Sequence, residues 1–313
     1  MSVSRVLNEH PNVSPVMRRR VLKAVDKLGY RRNENARSIR PGQRSGLVGV
    51  VVTNIENPYY AQVVLGIEDV LDSLGRRILV GTSHNEPERE KRLVRDFAGR
   101  QVEGLVLVPT GGDMAELRSE LGERPVVLAS REHPELALDT VVIDDFAGAS
   151  KGVADLLLSR HRRVGFLGND PSVSTSQRRY EGYVAGHATA GVPVDPDLVV
   201  LDCGDVESSR RAAAHVLALD EPPTALFCAN NQVTIGALLE VVPAAREGGA
   251  PVELLGVDDF SLSELIQHPL TIIDHDAREL GRAAARMLWQ RLEGNSPAGP
   301  MRLLMPTELR RLR

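Results

Sequence analysis

Between residues 47 and 257 the chain alternates short, uninterrupted apolar runs with amphipathic stretches. Leu47–Thr53 (LVGVVVT) is the first such run, free of charge and rich in β-branched residues, as expected of a strand covered on both faces. Pro58 then opens a segment in which Val63, Ile67, Val70, Leu71 and Leu74 recur at helical spacing until Gly75 closes it. The pattern repeats as strand Ile78–Thr82, helix Pro87–Arg100, strand Gly104–Val108, helix Met114–Leu121 and strand Val126–Ala129. A second series runs through strand Val141–Ile143, helix Phe146–Ser159, strand Val164–Leu167, helix Gln177–Ala190 and strand Leu198–Leu201. It continues with helix Glu207–Leu219, strand Ala225–Cys228, helix Val233–Ala244 and strand Val252–Val257. Strands separated by helices of this length pair in parallel through right-handed crossovers. The expected class is therefore α/β, with two doubly wound parallel-sheet lobes. Helix Arg278–Leu292 and the segment Leu303–Met305 come last and fit either lobe.

Ahead of this body lies a short helical head. Ser14 and Pro15 read as a cap and a first-turn proline for a helix Pro15–Leu28, ended by Gly29, with Val21, Leu22, Val25 and Leu28 as its buried stripe. Ser2–Leu7 precedes it as a shorter helix, and Pro41-Gly42 reads as a linker. The expected division is a head over 1–46 and a body over 47–313. One lobe would span roughly 47–145 with part of 275–300, the other 146–274 with the C-terminal strand.

Charge separates the same two parts. Residues 1–46 hold eleven Lys and Arg against Glu9, Asp26 and Glu34, a balance of +8; the whole chain is −4, so the body carries −12. A basic head on an acidic body suits a head that meets a polyanion. A composition of 42% hydrophobic and 26% charged residues supports a folded core and excludes a disordered or collagen-like chain. The two cysteines, Cys203 and Cys228, exclude a disulfide framework and a multi-cysteine zinc site. With no apolar run of membrane-spanning length and no signal-peptide core, the expected location is the cytoplasm.

In open α/β sheets ligands bind beyond the carboxyl ends of the strands. The polar groups there are Asn57-Pro58-Tyr59-Tyr60, Ser130-Arg131, Asn230-Asn231 and Asp258-Asp259, with Arg179 on the helix after Gly168. Any one of them could simply cap the next helix. Their repeated placement instead points to an interlobe cleft whose rings stack on a flat or polyhydroxylated ligand while Arg, Asn and Asp hold its hydroxyl or carboxylate groups.

These residues resemble the lactose-repressor-like (LacI/GalR) family of bacterial transcription regulators. The likeness lies in Val3-Ser4-Arg5-Val6-Leu7-Asn8, Val13-Ser14, Leu28-Gly29-Tyr30, Asn33, Ala36-Arg37-Ser38, Asn57-Pro58-Tyr59-Tyr60, Gly168, Arg179–Gly182 with Tyr183, and Ala229-Asn230, in order along nearly the whole chain. The resemblance implies a helix-turn-helix reading operator DNA in the major groove and a hinge helix entering the minor groove. It also implies a dimeric, periplasmic-binding-protein-like body whose small-molecule effector, sugar-like by analogy, alters operator affinity. By the same resemblance Ser2, Ser4, Arg5 and Asn8 end the recognition helix, with Arg5 the base reader, and Ser14 and Tyr30 touch the DNA backbone. Asn33, Ala36, Arg37 and Ile39 match the hinge, and Tyr59, Tyr60, Arg131, Arg179, Asn230 and Asp258 match effector contacts. Arg179→Ala and Asp258→Ala are then expected to abolish the effector response with the fold intact.

The departures from the family pattern are specific. Its first DNA-binding helix, turn and recognition-helix start fall upstream of Met1, so a partial head is expected, from a displaced start or a truncation. Ile39 stands for a wedge leucine, Met17 for a threonine, Arg32 for a proline, Ser130 for an aspartate of sugar-type pockets, Val206 for an aromatic and Asn231 for an aspartate. An enzyme is the rival least supported, since the chain has no G-x-S-x-G elbow, phosphate loop, G-x-G-x-x-G after the first strand or H-x-x-x-H. No cofactor and no metal site are expected. A solute-binding protein without DNA contact, or a truncated effector-binding protein without specific DNA binding of its own, are the alternatives.

Overall fold

The apolar runs form two six-stranded sheets in a computed structural model that describes residues 2–7, 13–28, 45–111, 115–133 and 135–312. The chain divides into two compact units, residues 1–45 and 46–313. In the first unit, helices α1 (Ser2–Leu7) and α2 (Pro15–Lys27) bury Val6 and Val21. Ser14 Oγ accepts the Met17 amide at 3.3 Å and caps α2, and Pro15 fills the first turn where no amide partner is needed. The expected stripe is only partly covered, because two short helices share one line of contact. Val21 is buried, whereas Leu22 and Leu28 are 48% and 79% exposed.

The second unit begins with β1 (Leu47–Val52), α3 (Pro58–Ser73), β2 (Arg77–Thr82), α4 (Pro87–Gly99), β3 (Gly104–Leu107), α5 (Ala115–Leu121), β4 (Val126–Ala129) and β5 (Asp139–Ile143). Then come α6 (Asp145–Ser159), β6 (Val164–Leu167), α7 (Ser174–Ala190), β7 (Val199–Val200), α8 (Val206–Leu217), β8 (Ala225–Cys228), α9 (Asn231–Arg246), β9 (Glu253–Val257) and β10 (Leu270–Asp274). Helix α10 (Ala277–Leu292) and strands β11 (Arg302–Met305) and β12 (Glu308–Leu312) finish the chain. The first sheet has the order β11-β5-β4-β3-β1-β2 and is wholly parallel; the second has the order β12-β10-β9-β8-β6-β7, antiparallel only at β12. The chain passes between the lobes after β5, after β10 and after β11. No helix among the described residues is long and apolar enough to cross a membrane.

Strand alternation explains the layering. Val48, Val50 and Val52 point to one face of the first sheet, against α3 and α10, and Val51 points to the other, among residues of α4 and α5. In the second sheet Phe166 and Phe227 pack with α6 and α7, while Leu226 and Cys228 pack with α8 and α9. Two glycines let α3 and α10 meet backbone to backbone. A Cβ at Gly66 would lie 2.0 Å from the Arg278 carbonyl oxygen, and one at Gly281 would lie 2.1 Å from that of Val63.

Several elements differ from the sequence reading. Val141–Ile143, the first run of the second series, lies in the first sheet as β5 beside β4, inside the lobe expected over roughly 47–145. Leu303–Met305 extends that first sheet, with Leu303 in register with Val141. The expected strand Leu198–Leu201 shrinks to Val199–Val200, because Pro196 starts a 3-10 turn through Leu198. Strand β10 was not anticipated, although Leu270-Thr271-Ile272-Ile273 after Pro269 has the β-branched signature.

Candidate functional site

In each sheet the first strand lies between its successor and the strand after that, β1 between β2 and β3, and β6 between β7 and β8. These reversals of strand order splay the connecting loops and open a crevice at the carboxyl ends. The two crevices face each other around a cavity of about 340 Å³. Thr53, Asn57, Tyr59, Tyr60, Asn85, Thr110, Ser130 and Arg131 line it from the first lobe. Asn169, Asp170, Arg179, Asp202, Asn230 and Asp258 line it from the second.

Helix starts fix several of these groups. Asn57 caps α3, its Oδ1 accepting the Tyr59 amide at 3.0 Å, which turns both tyrosines inward. The Tyr59 hydroxyl donates to Ser130 Oγ at 2.8 Å, and its ring meets Tyr60 edge-on with centroids 5.0 Å apart. Burial, reinforced by the Asp258 carboxylate, holds the Tyr59 phenol well above its ordinary pKa, so it stays a hydrogen-bond donor. Asn230 caps α9 through Oδ1, which accepts the Val233 amide, and its Nδ2 donates to Asn169 Oδ1 at 2.7 Å. Ser130 and Asp258 both have φ near +65°, a conformation costly for non-glycine residues, directly after β4 and β9.

The two guanidiniums have different partners. Arg179 is buried; its Nε donates to Asp145 Oδ1 at 2.6 Å and its Nη1 to the Ala229 carbonyl at 2.6 Å, with Asp258 Oδ2 at 4.0 Å from Nη1. Burial pushes the Asp145 carboxyl above its usual range, and the Arg179 charge opposes that rise. Arg131 is held by neutral acceptors: Nη1 donates to Asn85 Oδ1 at 2.9 Å and to the Pro109 carbonyl at 3.2 Å, and Nη2 to the Tyr60 hydroxyl at 3.2 Å. Behind this wall the buried Glu90 carboxylate accepts the Thr110 amide at 3.0 Å; burial raises its pKa to about 7. On the opposite side His275, at the crossover after β10, is edge-on to Tyr59. Its Nδ1 lies 3.7 Å from Asp258 Oδ1, and neither atom has a hydrogen-bond partner among the described residues.

The lobes are bridged at the cleft rim. Asn57 Nδ2 donates to Asn231 Oδ1 at 3.0 Å and Asn231 Nδ2 donates to Asn57 Oδ1 at 2.8 Å, a reciprocal amide pair across 174 positions of sequence, with Asn231 fully buried. The Glu132 amide donates to Ser174 Oγ at 3.1 Å farther along.

All six body residues singled out from sequence, Tyr59, Tyr60, Arg131, Arg179, Asn230 and Asp258, line the one cavity. Arg179→Ala would leave the buried Asp145 without its counter-charge, so a loss of stability is expected beside the loss of effector response. Sequence reasoning missed Asp145, Asn85 and His275; the strand-end rule that found Asn230 would have found Asn85, just beyond β2. In the head, Ser2, Ser4 and Arg5 lie in α1 and Ser14 caps α2, with Arg5 exposed. Asn8, Tyr30, Asn33, Ala36, Arg37 and Ile39 lie outside the described residues. Cys203 and Cys228 are buried free thiols, and burial raises the Cys203 pKa to about 11.

Two parallel α/β lobes closing on a polar cavity define a small-molecule-binding body of the periplasmic-binding type. Residues 45–310 match the family described as periplasmic binding proteins and sugar binding domain of LacI family, and residues 1–33 match the bacterial regulatory proteins of the lacI family. The chain belongs to the LacI family, and is a regulator of transcription with a DNA-binding head and an effector-binding body. It is 28% identical to the transcriptional repressor CytR of Escherichia coli over 97% of this chain and 89% of that one. It is 30% identical to catabolite control protein A of Priestia megaterium over 92% and 87%. Among solved structures, the regulator CelR in complex with cellobiose superposes with a TM-score of 0.76 at 27% identity, over 99% of this chain and 94% of that one. The operator-bound lac repressor dimer superposes with a TM-score of 0.83 over 99% and 94%, at 23% identity.

Proposed function

We propose that the protein is a cytoplasmic, homodimeric repressor whose affinity for operator DNA is set by a small hydroxylated effector in the interlobe cavity. The observation that carries this is the cavity itself, lined from both lobes at the two strand-order reversals. A ligand there touches both lobes at once, so its binding energy differs between open and closed arrangements, which is the requirement for control at a distance. Tyr59, Tyr60, Arg131, Arg179, Asn230 and Asp258 contact the effector in this reading, with Arg179 held in the cavity wall by Asp145. In the head, Ser2, Ser4, Arg5, Asn8, Ser14 and Tyr30 contact DNA, and Asn33, Ala36, Arg37 and Ile39 form the hinge element. Relatives that include a repressor and a cellobiose-bound regulator support both halves.

The test is fluorescence anisotropy with a pseudo-palindromic duplex from the protein's own promoter region, across a salt series and with candidate effectors added. Specific binding that weakens steeply with salt, as the +8 head requires, and that shifts with a ligand supports the reading. Salt-independent binding contradicts it. Binding of effector without any specific duplex binding favours an effector-binding protein that does not act on DNA alone.

A further inference from the structure

The cavity's charges are distributed unevenly. On the second lobe Arg179 is neutralised by Asp145 at 2.6 Å, with Asp258 close by, and Asp170 and Asp202 add carboxylates toward the mouth. That wall carries an excess of negative charge and of hydrogen-bond acceptors. On the first lobe the one charged group lining the cavity is Arg131, which has no carboxylate within ion-pair distance among the described residues. A guanidinium has five N–H groups in a rigid fork. Asn85, Pro109 and Tyr60 take three of them, all neutral acceptors, and leave Nε–H and one Nη2–H without a partner among the described residues. The neutral contacts aim the fork without discharging it. Glu90, the acid that acts on Arg131 through space, lies behind Thr110 and, with its pKa near 7, is only partly ionised at neutral pH.

Closing the lobes over a neutral ligand would strand this cation in a dry site, a cost that a ligand carrying its own negative charge removes. A carboxylate matches a guanidinium fork with two parallel hydrogen bonds. A dianion such as a phosphate monoester is disfavoured by the carboxylates on the facing wall. Those carboxylates, with Asn169 and Asn230, instead suit a donor-rich, polyhydroxylated remainder. We infer that the effector is a hydroxylated monocarboxylate of the sugar-acid class, its carboxylate on Arg131 and its hydroxyl groups toward Asp258, Asn169 and Asn230. This rests on the reading of the cavity as the effector site and narrows it to one charge type.

Calorimetry on the full chain with matched pairs tests it: D-glucuronate against D-glucose, D-galacturonate against D-galactose, and D-gluconate against D-glucitol. At least one acid should bind roughly 10- to 100-fold more tightly than its neutral partner, the range of a charge-assisted hydrogen-bond pair. Arg131→Gln should erase that preference, and Arg131→Lys, which keeps the charge and loses the fork, should retain part of it. Circular dichroism melts of both variants establish that they fold. Binding in which no acid exceeds its neutral partner, or a preferred acid bound equally by wild type and Arg131→Gln, overturns the carboxylate assignment and leaves the cavity as the effector site. Binding by none of the six overturns the sugar-acid class. The effector-site reading then stands or falls separately, on whether any ligand shifts duplex binding in wild type and fails to do so in Asn230→Ala.

Discussion

Replacing Arg179 with alanine would leave Asp145 enclosed in protein with neither its counter-ion nor the hydrogen bond it accepts at 2.6 Å. The side chains of Arg179 and Asp145 are 9% and 5% exposed, so the pair is largely shielded from water in the intact protein. Asp258, 4.0 Å from the same guanidinium, loses its nearest cation as well. Removing one member of a buried ion pair costs about 3–5 kcal/mol. Hydrogen bonding to the Ala229 carbonyl, also lost, lies within that range. The cost depends on pH in a definite direction. Asp145 already has its pKa raised by burial, with Arg179 opposing the rise. Without Arg179 the folded-state pKa climbs further above the unfolded value near 4. A raised carboxyl leaves stability intact below the unfolded pKa and removes it as pH rises through the folded pKa. The variant should therefore be several kcal/mol less stable than wild type at pH 8 and approach it near pH 5. Urea unfolding of both proteins at the two pH values measures this. A difference under about 1 kcal/mol at pH 8, or one that widens on acidification, would refute the assignment of Arg179 as a structural cation.

Three further outcomes follow from local geometry. Gly281→Ala puts a methyl against the Val63 carbonyl at 2.1 Å, where backbone must move, and should cost more than about 2 kcal/mol in urea unfolding; a smaller loss would mean that α3 and α10 separate freely. Glu90→Gln should match wild type at pH 4 and be more stable by about 3 kcal/mol above pH 7, since a carboxyl raised from 4.5 to about 7 loses stability across that interval; equal stability at pH 8 would show that Glu90 is not desolvated. Asn231→Asp should cost about 1–2 kcal/mol at pH 8, because Asn57 Oδ1 is fixed by the Tyr59 amide and would face a carboxylate oxygen. Protonation lets the acid donate to Asn57, so the deficit should close as pH falls, and a pH-independent deficit would contradict the pairing.

The legible parts of this protein are those written in neighbouring residues. A run such as Leu47-Val48-Gly49-Val50-Val51-Val52 needs cover on both faces wherever it sits, and Asn57-Pro58 starts a helix by satisfying its first amides locally. The strand-end rule therefore found Tyr59, Arg131, Asn230 and Asp258 without coordinates. The sequence pattern left Leu303–Met305 fitting either lobe, because an edge strand looks the same in either sheet and its partner is chosen by long-range packing. It overvalued Leu198–Leu201, where Pro196 diverts the chain into a turn. Leu22 and Leu28 looked buried because periodicity marks a face but not whether anything covers it.

By itself the sequence determined the α/β class, the basic head and acidic body, and the set of polar groups that end the strands. Each follows from composition or from contacts within a turn or two of helix. The tertiary structure alone decided how those groups differ. Two arginines that read alike in the chain and both line the cavity became a buried cation discharged by Asp145 and one with no carboxylate at ion-pair distance among the described residues. Asn57 and Asn231, each a candidate helix cap, became partners across the lobes. The reason is that charge compensation and reciprocal hydrogen bonding depend on which groups meet in space, and folding brings these together from 34 and 174 residues apart.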